Sequence, residues 1–300
     1  MQYFKQLLIT TAAVALTGAN LCAQTNPAYQ KEIDDWHATR ITELKANTGW
    51  LNLVGLYWLD EGKNSFGSGA QNNIVFPKGS IDDVAGYFER TGNTVKLVVE
   101  NNTAIKMNGQ PVKEAVVFQE DPAIVPVLSF GNLQWVIIKR DDKIGIRLRD
   151  LASPAPVAFK DVERFAVDAA WRVPAMLQTQ AQPQSIDITN IIGQTSKQKS
   201  PGKLVFTLNS MQYTLDALEE GDHLFIIFGD ATNGKTTYPS GRFLEVARPG
   251  ADGKTVIDFN KAYNPPCAFT DFATCPLPPK QNRLVVKITA GEKNYGYHRG

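Results

Sequence analysis

Histidine is scarce in this chain of 300 residues: there are three, His37, His223 and His298, far apart and in no H-x-H or H-E-x-x-H arrangement. That scarcity argues against a zinc or iron centre built on imidazoles, and no metal ligands are assigned. The nucleophile pattern G-x-S-x-G is missing as well; "FGSGA" at 66–70 lacks its first glycine. An excess of one charge is also lacking. Lys plus Arg is 31 and Asp plus Glu is 30, a net charge of +1. A nucleic-acid partner needs a clustered basic surface, and an anionic membrane partner needs a basic patch, so neither is expected. Beyond the N-terminal segment no apolar run is long enough to span a bilayer. "HLFIIFG" at 223–229 reads as a buried strand.

The first residues are present for another reason than folding. "MQYFKQLLITTAAVALTGANLCAQTN" carries Lys5, an apolar run from about Leu7 to Gly18, and small residues up to Ala23. This is the layout of a secretory signal peptide cut after Ala23. The expected location is the periplasm or the medium. A lipoprotein attached through Cys22 is the alternative, against which Leu21 stands where a small residue is wanted. With Cys22 removed, Cys267 and Cys275 remain, and two neighbouring cysteines of an exported protein most simply form one disulfide.

Residues 24–49 read as a helical segment, with Ile33, Trp36, Ile41 and Leu44 at helical spacing and a stop at Asn47 and Gly49. His37 sits beside that stripe as a rim or core histidine. From Trp50 the pattern changes to short β-branched and aromatic runs cut by Gly, Asn and Asp, with "KRDDKIG" as a hairpin loop. No helical segment interrupts them, which predicts an antiparallel sandwich. In the connector that follows, "SPAPVAF" is expected to be extended by its prolines, "AWRVPAM" and "QSIDITNI" to be strands, and "GQTSKQKSPGK" to be a polar loop. A second β block runs from "KLVFTLNSMQYTLDAL" to "NRLVVKITAGE", with "NS" and "GADG" as turns.

"GDATNGKT", 229–236, matches the phosphate-loop pattern letter for letter. A phosphate cradle needs a helix after its lysine. Pro239 and Gly241 come too soon for one, so the stretch reads as a polar turn, and no cofactor is expected. Its faint likeness to a calcium loop lacks the alternating acids. The densest chemistry lies in "DFNKAYNPPCAFTDFATCPLPPKQNRL", 258–284. Asp258, Asn260, Tyr263 and Asn264 cluster there, prolines stiffen the path, and Cys267 with Cys275 can close the loop. Such a loop is either a rigid binding surface or scaffolding for an irregular segment.

These residues, with "GWLNLVGLYWLDEGKNSFGS", "GIRLRD" and "TYPSGRFLEV", resemble the bacterial domain-of-unknown-function 1684 family from about Gly49 to Lys293. That resemblance implies no reaction. The first β block also resembles a forkhead-associated domain through "LDEGKNSFGSGAQNNIVFP" and the Asn108–Gly109 turn of "IKMNGQPV". Ser68 stands where such domains carry an arginine, and no S-x-x-H follows. The resemblance therefore implies the sandwich without the phosphothreonine function.

The expected organisation is a signal peptide over 1–23, an N-terminal helix over 24–49, a forkhead-associated-like antiparallel β-sandwich over 50–160, and a second antiparallel β domain over 161–300. The expected function is a non-enzymatic envelope module that binds an unknown small molecule, a glycan or an envelope protein. Asp230, Arg242, Asp258, Asn260, Tyr263, Asn264 and Arg283 are the candidate ligand-binding residues, since arginine and tyrosine suit an anionic or sugar-like ligand. The alternative is a hydrolase with Asp258 as acid or base and Arg242 or Arg283 as its electrostatic partner.

Overall fold

A computed structural model of the protein describes residues 26–120 and 125–296, apart from the side chains of 180–183. Lys5, Cys22, Ala23 and His298 lie outside the described residues.

Helix α1 spans Pro27–Lys45. The Asn26 side chain caps it by accepting from the Ala28 N–H at 2.9 Å, and Pro27 occupies the first turn, where no intrahelical donor is needed. Its buried residues are Tyr29, Ile33, His37 and Leu44. The expected stripe is thus shifted: Trp36 is only half-buried, while His37 points inward.

Two sheets follow. One has the order β1-β11-β10-β9-β6-β7, with β1 at Leu53–Trp58, β6 at Lys106–Met107, β7 at Gln110–Pro111, β9 at Leu128–Phe130, β10 at Leu133–Arg140 and β11 at Lys143–Asp150. The other has the order β3-β2-β4-β5-β8, with β2 at Gly62–Gly67, β3 at Ile74–Val75, β4 at Gly86–Thr91, β5 at Thr94–Val99 and β8 at Glu114–Phe118. All pairings are antiparallel except β2 with β3. The inward residues of both sheets form one core around Phe66, Phe88 and Trp135, with the Phe66 and Phe88 rings 4.6 Å apart. Burial alternates along β10, as a half-buried strand requires. The Asn108–Gly109 and Asp141–Asp142 turns fall where the sequence places them.

The C-terminal sheet is antiparallel and nearly closed, in the order β16-β15-β14-β13-β12-β17. Its strands are β12 (Arg172–Thr189), β13 (Thr195–Leu208), β14 (Met211–Glu220), β15 (His223–Phe228), β16 (Arg242–Ala247) and β17 (Lys254–Asp258). The two end strands meet where the Thr255 hydroxyl donates to the Ala247 carbonyl at 2.8 Å. Alternate residues of β13 to β16, including Leu204, Phe206, Leu215, Leu224, Ile226 and Leu244, fill the interior.

Two expectations are corrected. "SPAPVAF" contains a short helix, α2 (Ala155–Ala158), because Pro154 adopts φ −72° and ψ −15° and starts a helical turn. "GQTSKQKSPGK" is mostly strand: β13 begins at Thr195 and pairs with β12 through Ser200. Its residues are polar because the distal half of this hairpin is largely exposed, so backbone pairing holds it without an apolar alternation.

Candidate functional site

Strand β14 changes partners partway along. Its first part, 211–217, pairs with β13, from Leu208↔Met211 to Gly202↔Ala217. Its last part, 218–220, pairs with β15. The change follows from "SPG" at 200–202. Pro201 has no N–H to offer a ladder. Gly202 sits at φ 142° with its α-carbon so close to β12 that an added Cβ would meet the Thr179 α-carbon at 3.0 Å. Beyond this point β13 leaves β14 and stays with β12 alone.

The distal hairpin then folds across the outer face of the barrel. Ile186 and Ile188 pack with Leu218, Phe225, Ile227 and Phe243 and with both cysteines. Its tip is latched on two sides. The Gln194 side-chain amide donates to the Arg140 carbonyl and to Asp142, each at 3.2 Å, on the β10–β11 tip. The Ile191 N–H donates to the Cys275 carbonyl at 2.9 Å, and the Leu277 N–H to Thr189 at 2.8 Å.

Between these elements lies a cleft of about 530 Å³. Ile188, Leu218, Phe225 and Ile227 form its apolar floor, while Lys139, Arg140 and Asp141 come from the sandwich. Asn190, Ser196 and Gln198 come from the hairpin, Glu219 and Glu220 from the end of β14, and Thr274 and Pro276 from the disulfide loop. Its size and its place, where two β units meet, are those of a ligand cleft.

The seven residues nominated from the sequence are not gathered in that cleft. Arg242 and Asp230 form a buried brace. Both side chains are fully buried, with Arg242 Nη2 and Asp230 Oδ2 3.0 Å apart. Arg242 also donates to the carbonyls of Ile288, Ala290 and Glu292, and Asp230 accepts from Thr232 and from the Ile288 N–H. Burial pushes the Arg242 pKa down from its ordinary value, and the Asp230 charge opposes the shift. The backbone that delivers Arg242 requires Gly241, at φ 94°, where an added Cβ would lie 2.6 Å from the Phe228 carbonyl oxygen.

Asp258 and Asn260 anchor α1. The Tyr29 hydroxyl donates to both Asp258 oxygens, at 2.8 and 2.9 Å. Asn260 donates to the Tyr29 oxygen and to the Asp168 carbonyl, each at 2.9 Å. Burial and the Asp258 carboxylate push the Tyr29 pKa well above its usual value. Asn264 belongs to a second seam under the same helix. Its N–H donates to Glu292 at 2.6 Å, and its carbonyl accepts from Arg40 at 2.9 Å. Glu292 is almost fully buried, and burial raises its pKa while Arg40 opposes the rise. Tyr263 is half-buried under the Arg40 guanidinium, 4.5 Å from its ring centre, and donates to Glu245 at 3.2 Å. With Trp36 it lines a smaller cleft of about 310 Å³. Arg283 is exposed beside a hollow of about 330 Å³ that Pro278 and Ser240 also line. Asp230, the ion-pair partner of Arg242, lines the same hollow as Arg283, while Asp258 bonds to Tyr29 and Asn260.

Cys267 and Cys275 are joined as a disulfide, with their α-carbons 6.1 Å apart. Thr274, inside the loop they close, and Pro276, just beyond it, line the cleft wall. "GDATNGKT" is a tight turn: the N–H groups of Lys235 and Thr236 return to the Thr232 carbonyl at 3.0 and 3.1 Å, and no helix follows. Ser68 is buried and donates to the Ile81 carbonyl at 2.7 Å.

Several residues that organise these sites carry no signal in the sequence. Asn282, 1% exposed, wedges between β14 and β15. It donates to the carbonyls of Asp216 and Ile227 at 2.9 Å and accepts from the Asp216 N–H at 2.7 Å. Arg40, Tyr29 and Glu292 act through partners more than 200 residues away. The tip residues of the cleft look like ordinary hairpin polar groups.

Residues 157–293 match the family model described as "Protein of unknown function (DUF1684)". The match therefore begins well after Gly49 and leaves out α1 and the sandwich. No curated protein matches the chain. Among solved structures, that of an uncharacterised protein from Haloarcula marismortui is 32% identical over 46% of this chain and 79% of its own, with a TM-score of 0.39. A forkhead-associated domain studied for its phosphothreonine-dependent interactions is 20% identical over 31% of this chain and 92% of its own, with a TM-score of 0.23.

Proposed function

With residues 157–293 matching a family of unknown function, we propose that the protein is an exported binding module whose ligand occupies the cleft between the sandwich and the barrel. The observation that supports this reading is the cleft itself. An apolar floor lies between walls that carry Lys139 and Arg140 on one side and Glu219 and Glu220 on another. Apolar contact supplies affinity there, and the charged walls supply orientation. The polar residues that would otherwise suggest catalysis, Asp230, Arg242, Asp258 and Asn260, have structural partners instead. No helix among the described residues is long and apolar enough to cross a membrane. The export part of the reading rests on Lys5, the apolar run and Ala23.

Methyl NMR of full-length protein labelled at isoleucine and leucine tests the binding part, with a library of small amphipathic molecules and glycans as the probe. Shifts should concentrate on Ile188, Leu218 and Ile227 and vanish when Ser196→Trp fills the cleft. Silence at those methyls across the library, or turnover of ester or glycoside substrates abolished by Asp258→Asn, overturns the reading. For export, protein from the native host should begin at Gln24; a chain still carrying Met1 contradicts it.

A further inference from the structure

The partner change in β14 leaves two gaps in the sheet, and the molecule fills only one of them. The first lies between the early part of β14 and the end of β15. There Asn282 inserts its side-chain amide, giving two hydrogen bonds to the carbonyls of Asp216 and Ile227 and taking one from the Asp216 N–H. A side-chain amide carries the same donor and acceptor as a peptide unit, so the gap is closed by peptide-like chemistry. The second gap lies between the late part of β14 and the distal part of β13. Past Gly202↔Ala217 the ladder between these strands stops. From there, among the described residues, β13 pairs only with β12, through Ser200↔Gln184 to Thr195↔Thr189. Strand β14 pairs only with β15, through Leu218↔Phe225 to Glu220↔His223. Each strand therefore turns one unpaired edge toward the other. The space between those edges is the 530 Å³ cleft, which Ser196 and Gln198 line from β13 and 218–220 line from β14.

We infer that the occupant of the cleft is an extended polypeptide segment of a partner, added as a strand along β14. The inference rests on the reading of the cleft as a ligand site and names its ligand class. Three features select a polypeptide. Two facing strand edges offer backbone donors and acceptors that only a regularly spaced chain of amides can meet, as in strand addition elsewhere. The floor is apolar at Leu218 and Phe225, a cross-strand pair on one face, and so receives alternate side chains of the added strand. Across the cleft, among the described residues, no ion pair joins Lys139 or Arg140 to Glu219 or Glu220; Lys139 is engaged with Glu120, Arg140 donates to the Thr274 hydroxyl at 3.4 Å and the Lys139 carbonyl at 2.8 Å, and Asp141 shares their wall. The segment therefore carries a carboxylate facing Arg140 and a basic side chain facing Glu219 and Glu220. Specificity comes from these ends and from the alternate apolar positions, while the backbone supplies a sequence-tolerant share of the affinity.

A library of random seven-residue peptides, screened against full-length protein, tests this. Selected peptides should alternate apolar with polar residues and carry a basic residue. Their dissociation constants should rise at least tenfold with Ser196→Trp or, independently, Gln198→Trp. Glu219→Lys with Glu220→Lys should invert the preferred charge at one peptide end. N-methylation of alternate peptide bonds should weaken binding at least tenfold in one register and little in the other. The inference is overturned if no peptide is selected above the Ser196→Trp background, or if both N-methylated registers bind like the parent. If peptides fail while small molecules or glycans still shift Ile188, Leu218 and Ile227, the cleft is a ligand site and the added strand is wrong. If those methyls also stay silent, both readings fall.

Discussion

Arg242 and Asp230 lie 3.0 Å apart with neither side chain exposed. Such a pair carries a large desolvation cost, offset here by the carbonyls of Ile288, Ala290 and Glu292 around the guanidinium. Removing one member leaves the other charged and buried, which costs about 3–5 kcal/mol. Asp230→Ala should therefore lower the urea midpoint sharply, and the Asp230→Ala/Arg242→Met double variant should cost less than the sum of the two single ones. Glu292 makes a different prediction. Burial raises its pKa above the ordinary 4.5, so between that value and the folded value the native state holds a proton that the unfolded chain releases. Stability from this group is fully present below about 4.5 and is lost as pH rises through the folded value. In urea titrations across this range, the stability of the native protein minus that of Glu292→Gln should fall as pH rises and then level off. A flat difference would show that Arg40 cancels the effect of burial.

Among the elements, the disulfide loop and the distal hairpin hold each other. The bond closes a span of eight residues, worth roughly 2–3 kcal/mol by the loop-entropy estimate. Cys267→Ala with Cys275→Ala should cost about that much. It should also raise hydrogen exchange first at 189–194 and 267–277, because the hairpin tip hangs on the Cys275 carbonyl and on the strand contact at Leu277. The β2, β4 and β5 amides of the sandwich should stay protected; their early exchange would contradict this ordering. Much of the architecture was legible in the sequence, through patterns with a physical period. Strand β10 alternates in burial up to an Asp-Asp turn, and the helix before it has a cap, a stripe and a stop. Less visible was the distal part of β13, "TSKQKS", because a two-stranded ribbon on the surface needs no apolar face. The site was least legible. Residue type alone does not separate a buried brace such as Arg242 from a surface arginine such as Arg283. The cleft, for its part, assembles from 139–141, 188–198, 218–227 and 274–276, segments that no local spacing connects.

At the scale of the whole molecule, the first helix in the chain belongs to the last sheet. Among the described residues, every side-chain hydrogen bond or ion pair that α1 makes outside itself goes to 159–292. These include Tyr29 with Asp258, Glu32 with Lys261, Asp34 with Arg164, His37 with Asp161 and Arg40 with Glu292. None of these bonds reaches the strands of the sandwich, although Leu44 packs with Leu51 just before β1. Deleting residues up to 46 should therefore increase exchange at β12, β17 and 258–264 while leaving the sandwich amides unchanged. Equal loosening of both units would show that the helix braces the sandwich too. The same placement sets a schedule for synthesis. Arg40 and Glu292 are 252 residues apart, and at about 5–20 residues per second that distance takes a ribosome roughly 13 to 50 seconds. The sandwich, encoded between them, is complete before Asp258, Lys261 and Glu292, the later partners of the helix, have been made. During that interval Tyr29, whose hydroxyl partner is Asp258, lies on a helix fastened only near Leu44, which packs with Leu51, Phe159 and Val162. The helix is thus the last piece to be fully fastened although it is the first to be made, and a chaperone that shields short amphipathic segments would find its target there.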